Sequence, residues 1–245
     1  MSAGWHRGPL LSLDFESCGL PAHDTRAVQI GLARIGYPND PAPVRHTYLV
    51  NPGQPIPAEA TAIHHITDAM VLEHGKPYAE TLEQVATAVA DHLSQGWPLI
   101  AFNASFDCTL LEAELLRLGL PSITETCGGF GPVIDPFVID KQISRRPGKR
   151  NLQAQCDHYS VRNDGEHDAG EDALAAARVA WAIAERHPTI AATDPLELHA
   201  QQISWAREQR DSLREYFDRK GQTHDGVDPR WPLQLPAHLA ARAAS

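Results

Sequence analysis

Four carboxylates and one histidine stand in this chain where they could do phosphoryl chemistry: Asp14 and Glu16, then Asp107, then His167 and Asp172. Asp14 and Glu16 are two residues apart in an apolar run, Leu-Leu-Ser-Leu-Asp-Phe-Glu. On a strand that spacing puts both carboxylates on one face, where they repel each other without a cation. Oxygen ligands of this kind suit magnesium or manganese. A pair of such ions can clamp a phosphodiester and generate hydroxide. A histidine that titrates near neutrality can take a proton from water. Each segment also has a plainer reading when taken alone: an exposed strand face, an acid favoured by a helix dipole at Asp107, and a solvated histidine before an acidic helix start. It is the combination that points to chemistry.

The elements that must carry these side chains follow from the hydrophobic pattern. Residues 10–15 read as a buried strand, 26–35 as a second and 45–50 as a third, ended by Asn51-Pro-Gly. Their short connections predict an antiparallel meander. Thr67 caps a short helix to about Glu73. Residues 78–95 form an amphipathic helix with Leu82, Val85, Ala86, Val89 and Leu93 on one face, stopped by Gly96. A strand at 98–102 leads into a helix at 104–118, with Asn103 as its N-cap and Asp107 in its first turn. A strand at 132–134 is broken by Asp135-Pro136. Helices at 151–159 and 169–186 follow, with His167 two residues before the second and Asp172 in its first turn.

Alternation of strand and helix in the second half predicts parallel additions to the sheet. The fold class is α/β: a mixed sheet of about five strands, three antiparallel and then parallel, flanked by helices. Character changes after Pro188, where a charged helix at 196–220 precedes a Gly/Pro/Asp-containing tail. The expected organisation is a main domain over 1–190 and a helical extension over 191–245, which either packs on the main domain or binds a partner.

The chain has 245 residues, 42% of them apolar, enough for a full core. With 21 Lys and Arg against 31 Asp and Glu, its formal charge is −10. General electrostatic attraction to nucleic acid is therefore excluded, and any grip on a phosphate chain must be local or mediated by metal. Cys18, Cys108, Cys127 and Cys156 form no CxxC pair and read as reduced thiols. The N-terminal text lacks the apolar run of a signal peptide and no stretch reaches the length of a membrane span. A soluble, cytoplasmic protein is the expectation, with no membrane partner.

Taken together, three segments resemble the DEDDh family of 3′–5′ exonucleases: Leu-Asp-Phe-Glu-Ser at 13–17, Phe-Asn-Ala-Ser-Phe-Asp at 102–107 and His-Asp-Ala-Gly-Glu-Asp at 167–172. Ile63-His-His-Ile-Thr67 is similar to a fourth stretch of that family. The group includes the proofreading subunit of bacterial replicative DNA polymerase, RNase T and oligoribonuclease. The resemblance covers roughly residues 9–187. It implies an RNase H-like fold and release of nucleoside 5′-monophosphates from a free 3′ end, with two divalent ions, Mg2+ or Mn2+, as cofactors. Asp14 would bridge the ions, Glu16 and Asp172 would complete the site of the attacking water, Asp107 would serve the second ion, and His167 would be the general base. The strand end Phe15, Ser17, Leu20, His64, Asn103 and Phe106 are the implied contacts to the terminal nucleotide. The sequence departs from the commonest family text at Ser17, Cys18, His65 and Phe102, none of which removes a ligand.

Residues 141–150 read Lys-Gln-Ile-Ser-Arg-Arg-Pro-Gly-Lys-Arg, five basic residues and no acid. Arg145, Arg146, Lys149 and Arg150 are candidate phosphate-backbone contacts, with a solvated loop as the alternative. The expected partner is a nucleic acid with a free 3′ end, single-stranded for choice. A homodimer, or a replication or repair partner held through residues 191–245, is consistent with the resemblance. Two other readings compete. One is a non-catalytic nucleic-acid-binding or polymerase-docking module on the same fold. The other is an HD-type phosphohydrolase, since His-Asp dipeptides occur at 23–24, 167–168 and 224–225. DNA and RNA substrates are not separable at this level, because discrimination rests on contacts to the sugar 2′ position.

Overall fold

The computed structural model describes residues 4–38, 40, 42–165, 167–224 and 226–243. Strands β1 (Leu10–Ser17), β2 (Ala27–Ile35) and β3 (Val44–Leu49) form the antiparallel meander. Helices α1 (Ala58–His64), α2 (Asp68–His74) and α3 (Tyr78–Ser94) then lead to β4 (Leu99–Ile100). Helices α4 (Ser105–Leu118) and α5 (Ile123–Cys127) precede β5 (Val133–Ile134). The chain ends in α6 (Pro136–Ile143), α7 (Leu152–Tyr159), α8 (Ala169–Arg186), α9 (Pro188–Ala192), α10 (Pro195–Lys220) and α11 (Ala237–Ala243). Strand order is β3-β2-β1-β4-β5, with β1–β4 and β4–β5 parallel. This is the mixed five-stranded, RNase H-like arrangement that the sequence predicts.

The hydrophobic pattern does not mark the short helices α1, α5, α6, α9 and α11, all of eight residues or fewer, too short for a period to declare itself. Thr67 does cap α2, accepting the Met70 N–H. Asn103 is not an N-cap. Ala104 holds that position, and Asn103 takes φ 58°, a left-handed conformation that asparagine tolerates better than most residues.

Alternation along β1 divides the molecule. Leu11, Leu13 and Phe15 face a core shared with Leu82, Val85, Leu110 and Leu111 of α3 and α4. Leu10 faces a second core, built with Ala175, Ala176, Val179 and Ile183 of α8. Ser12, Asp14 and Glu16 share the parity of Leu10 and lie on the α8 side. Alanines let α8 lie close against the sheet.

The described residues beyond 190 pack on the sheet and its helices. Ala206 of α10 and Trp231 of the tail belong to the larger core, and α11 packs with Leu235 on Ala113 and Leu116 of α4. Helix α10 runs along the free edge of β5. The Val133 N–H donates to His199 Nδ1 at 3.0 Å, the Asp135 N–H to Gln202 Oε1 at 2.7 Å, and Gln202 Nε2 donates back to the Val133 carbonyl at 3.0 Å. Two side chains thus occupy the place of a sixth strand.

Candidate active site

The site lies where the parallel strands β1 and β4 end, and it is gathered from both faces of the sheet. From one side comes α8. Its N-terminus is brought onto the sheet by two glycines: a Cβ at Gly31 would lie 2.0 Å from the Ala169 carbonyl oxygen, and one at Gly170 would lie 2.1 Å from Thr47 Oγ1. Gly31 is the cross-strand partner of Asp14. The same turn is pinned by Asp168, whose side chain accepts the Glu171 N–H, and by the Ala169 N–H donating to Gln29 Oε1 at 2.8 Å. Asp172, one turn into α8, therefore arrives beside Asp14 and Glu16.

From the other face comes α4. The buried Asp107 accepts the backbone N–H of Phe15 through Oδ1 at 3.0 Å, which ties it to the strand residue between the first two acids. His167 takes φ 68°, and its backbone N–H donates to Asp172 Oδ2 at 3.0 Å. Asn163 Nδ2 donates to Asp172 Oδ1 at 3.0 Å. Glu16, His167 and Asp172 each offer a ligand atom within 4.8 Å of the others.

The electrostatics fit a cation site. Burial holds the Asp14 carboxyl well above the usual range, and Asp107, Asp172, Glu16 and Asp168 push it further in the same direction. Burial, then Asp172 and Asp168, raise Glu16 to about 8. Asp107 is also raised, by burial above all, against the opposing hydrogen bond from Phe15. Among the described residues no lysine or arginine is paired with Asp14, Glu16 or Asp107. Hard oxygen donors crowded together without a basic partner match a divalent metal.

Beside the acids lies a cleft of about 190 Å³ lined by Phe15, Ser17, Gly19, Leu20, Ala60, Ile63, His64 and Phe106, with Glu16 at its edge. Leu20 is 82% exposed and Ile63 is 56% exposed, so the cleft presents apolar side chains to solvent rather than hiding them. Five of the six terminal-nucleotide residues expected from the sequence meet here. The sixth, Asn103, does not. It lines a separate hollow with Asp135 and Arg210.

These features are joined by a family match. The family model described as an exonuclease, RNase_T, covers residues 11–180. The chain belongs to the RNase_T exonuclease family. Among curated relatives, the PolC-type DNA polymerase III of Streptococcus pyogenes is 28% identical over 174 residues, 71% of this chain and 11% of that protein. The corresponding protein of Streptococcus agalactiae is 26% identical over 200 residues, 81% of this chain and 13% of its own. The chain thus spans little more than a tenth of the relatives it matches. In fold it is similar to Escherichia coli exonuclease I in complex with a dT13 oligonucleotide, with TM-score 0.59, 14% identity, and coverage of 75% of this chain and 42% of that one. It is also similar to exonuclease X in complex with 5′ overhanging duplex DNA, with TM-score 0.52, 24% identity, and coverage of 77% and 99%. A candidate metal site, Glu16, His167 and Asp172, stands at the carboxyl ends of the parallel strands of this family fold.

One part of the sequence reading needs correction. Arg146 and Arg150 are not free for phosphate. Both guanidiniums pair with Asp140, fully buried in α6, at 3.0 and 2.6 Å, and Tyr159 donates to the same carboxylate. They hold the loop to the body, and only Arg145 and Lys149 of that group are exposed. Among the described residues His23 and His224 join no group of three metal-ligating side chains, and Asp225, of the third His-Asp dipeptide, lies outside the described residues.

Asp135 is the residue that motif reading passed over. Buried, with its carboxyl raised to about 6 by burial, it accepts the N–H groups of Asn103 and Ala104 at 2.9 Å each, caps α6 through the Phe137 N–H, and accepts Trp231 Nε1 at 3.3 Å. It holds the loop that aims α4, and with it Asp107. Its signal in the sequence is an acid before proline at the end of a strand, which reads there only as the break that ends the strand.

Proposed function

We propose that this chain is a 3′–5′ exonuclease that removes nucleoside 5′-monophosphates one at a time from a free 3′ end. The observation that carries the reading is the meeting of Asp14, Glu16, Asp107, Asp172 and His167 at one end of β1, in a fold of the exonuclease family. Asp14, Glu16, Asp107 and Asp172 would hold two divalent ions, Mg2+ or Mn2+. Such ions neutralise a phosphodiester's oxygens and acidify water.

The chain's own residues do the rest. The cleft of Phe15, Leu20 and Phe106 receives the terminal base, with Ser17 and His64 beside the sugar. Asp107 fixes the backbone of Phe15, so the residue that meets the base is tied to the residue that meets the ion. His167, exposed at the rim and held by its backbone to Asp172, stands where it can accept the proton of an attacking water. The complex of exonuclease I with an oligonucleotide supports a single strand as substrate.

The test is a digestion of matched DNA and RNA strands, single and double, with free and blocked 3′ termini, in magnesium or manganese. The expected result is 5′-mononucleotides from free 3′ ends, abolished by Asp14→Ala. Intact strand binding without product in the unaltered chain would instead establish a non-catalytic binding module.

A further inference from the structure

The activity proposed above accounts for the terminal nucleotide but not for a group of cations on the other side of Asn103. Arg210 of α10 points its Nη2 at Asn103 Oδ1 and Ser105 Oγ, at 3.4 and 3.5 Å. These are long contacts to neutral oxygens, a poor match for a half-buried guanidinium. Arg214 lies one turn further on the same helix face, and its buried Nε has no hydrogen-bond partner. Lys141 of α6 sits 4.9 Å above the Phe137 ring, and Phe137 lines the same hollow as Arg210.

Asp211, next to Arg210 in the chain, makes no ion pair with Arg210 or Arg214, and other neighbouring acids are already engaged. Asp140 takes Arg146 and Arg150, Asp228 takes Arg230, Glu215 takes Arg219, and Asp218 takes His224. Asp135 accepts four N–H groups. Among the described residues no carboxylate lies within ion-pair distance of Lys141, Arg210 or Arg214. Arg210 and Arg150 also act on Lys141 as like charges, after burial, to lower its pKa. Asp135, whose charge acts on Lys141 in the opposite sense, is already taken by its four N–H donors; in a chain of formal charge −10, Lys141 beside Arg210, with Arg214 one turn further along α10, calls for an anion.

The position of the group says which anion. Asn103 and Ser105 open α4, whose next turn carries Asp107, so the cations begin a few residues from the catalytic acids and extend away from the cleft that receives the base. We propose that Lys141, Arg210 and Arg214 form a track for the phosphates of the nucleic-acid strand upstream of its 3′-terminal nucleotide. The segment beyond residue 190 is then part of the substrate-binding surface. Exposed Arg145 and Lys149 continue the track past α6. This rests on the exonuclease reading for its substrate.

Two probes separate the two ideas: a 5′-labelled twelve-nucleotide oligothymidylate, and the p-nitrophenyl ester of thymidine 5′-phosphate, which has no upstream phosphate. The double variant Lys141→Gln, Arg210→Gln is expected to lose about tenfold in kcat/KM on the oligomer, the size of one or two charge-assisted contacts, and to stay within twofold on the ester. Binding of the oligomer, measured by anisotropy in an Asp14→Asn background that leaves the strand intact, is expected to show a salt slope shallower by about 1.4. Arg210→Lys keeps the cation and is expected to keep most of the slope, which separates lost charge from lost fold. An unchanged slope, or equal losses on oligomer and ester, would overturn the track. If the unaltered chain hydrolysed neither probe, the exonuclease reading would fall while the binding slope still decided this one.

Discussion

Gly31 stands directly opposite Asp14 in the β1–β2 ladder, and the first turn of α8 rests on the space its missing side chain leaves. Catalytic geometry here depends on a residue with no functional group. Gly31→Ala would drive a methyl group against the Ala169 carbonyl and force α8 outward. A loss of about 1–3 kcal/mol in stability, as for other overpacked cores, should accompany a much larger fall in activity, since Asp172 moves with the helix. Denaturant midpoints and single-turnover rates on the same preparation check both; activity at the unaltered level would show that α8 is not positioned by this contact.

Asp14→Asn should separate stability from function. The substitution relieves a buried carboxyl that burial and four neighbouring acids all disfavour as an anion. In EDTA the variant should melt above the unaltered protein. On adding manganese the unaltered protein should gain stability, by about 2.7 kcal/mol when the free ion is a hundredfold above its Kd, and the variant should gain little. Turnover should drop by more than about a hundredfold, beyond the usual effect of losing an outer partner of a metal ligand. Equal manganese-induced shifts in melting temperature for the two proteins would remove Asp14 from the metal site.

Asp135 sets a test at a distance from the metal. Asp135→Ala leaves the N–H groups of Asn103, Ala104 and Phe137 without their acceptor in a buried place. Stability should fall by about 3 kcal/mol or more, and hydrogen exchange should quicken first at residues 103 and 104. Trp231→Phe keeps the packing, removes one donor, and should cost about 1 kcal/mol. Comparable losses from the two variants would mean that the carboxylate itself matters little.

Stability should also carry the imprint of His92. This buried imidazole joins the Tyr37 hydroxyl at Nδ1, 2.6 Å, to the Pro98 carbonyl at Nε2, 3.0 Å, and the neutral ring that satisfies both donates from Nε2. Burial lowers its pKa to about 4, opposed by the Pro98 contact. The unfolded chain, near 6.5, binds the proton first. The contribution of His92 is therefore complete above about pH 6.5 and is lost as pH falls towards 4, at most about 3 kcal/mol. His92→Gln should be less stable at pH 7 but flatter between pH 6.5 and 4 in guanidinium titrations. Parallel pH profiles for the two proteins would contradict this.

Local pattern carried much of this molecule. The expected helix over 169–186 is observed as Ala169–Arg186, and the three antiparallel strands fall within two residues of their expected ends at every boundary. The acids that meet at the end of β1 could be named because each sits in a short segment whose own pattern fixes its element. What stayed hidden involves partners far apart in the chain. Asp135 answers to Asn103 and Trp231, Asp140 to Arg146 and Arg150, and His199 and Gln202 to β5. A basic run looks the same in sequence whether its charges face solvent or a buried carboxylate.

The way α10 finishes the sheet has an effect on self-association. An exposed strand edge is a template for pairing with another chain. On the β5 side His199 and Gln202 have consumed the groups that such pairing would use, so a second copy cannot extend the ladder there. Any strand-to-strand joining of two copies is confined to the opposite margin, at β3.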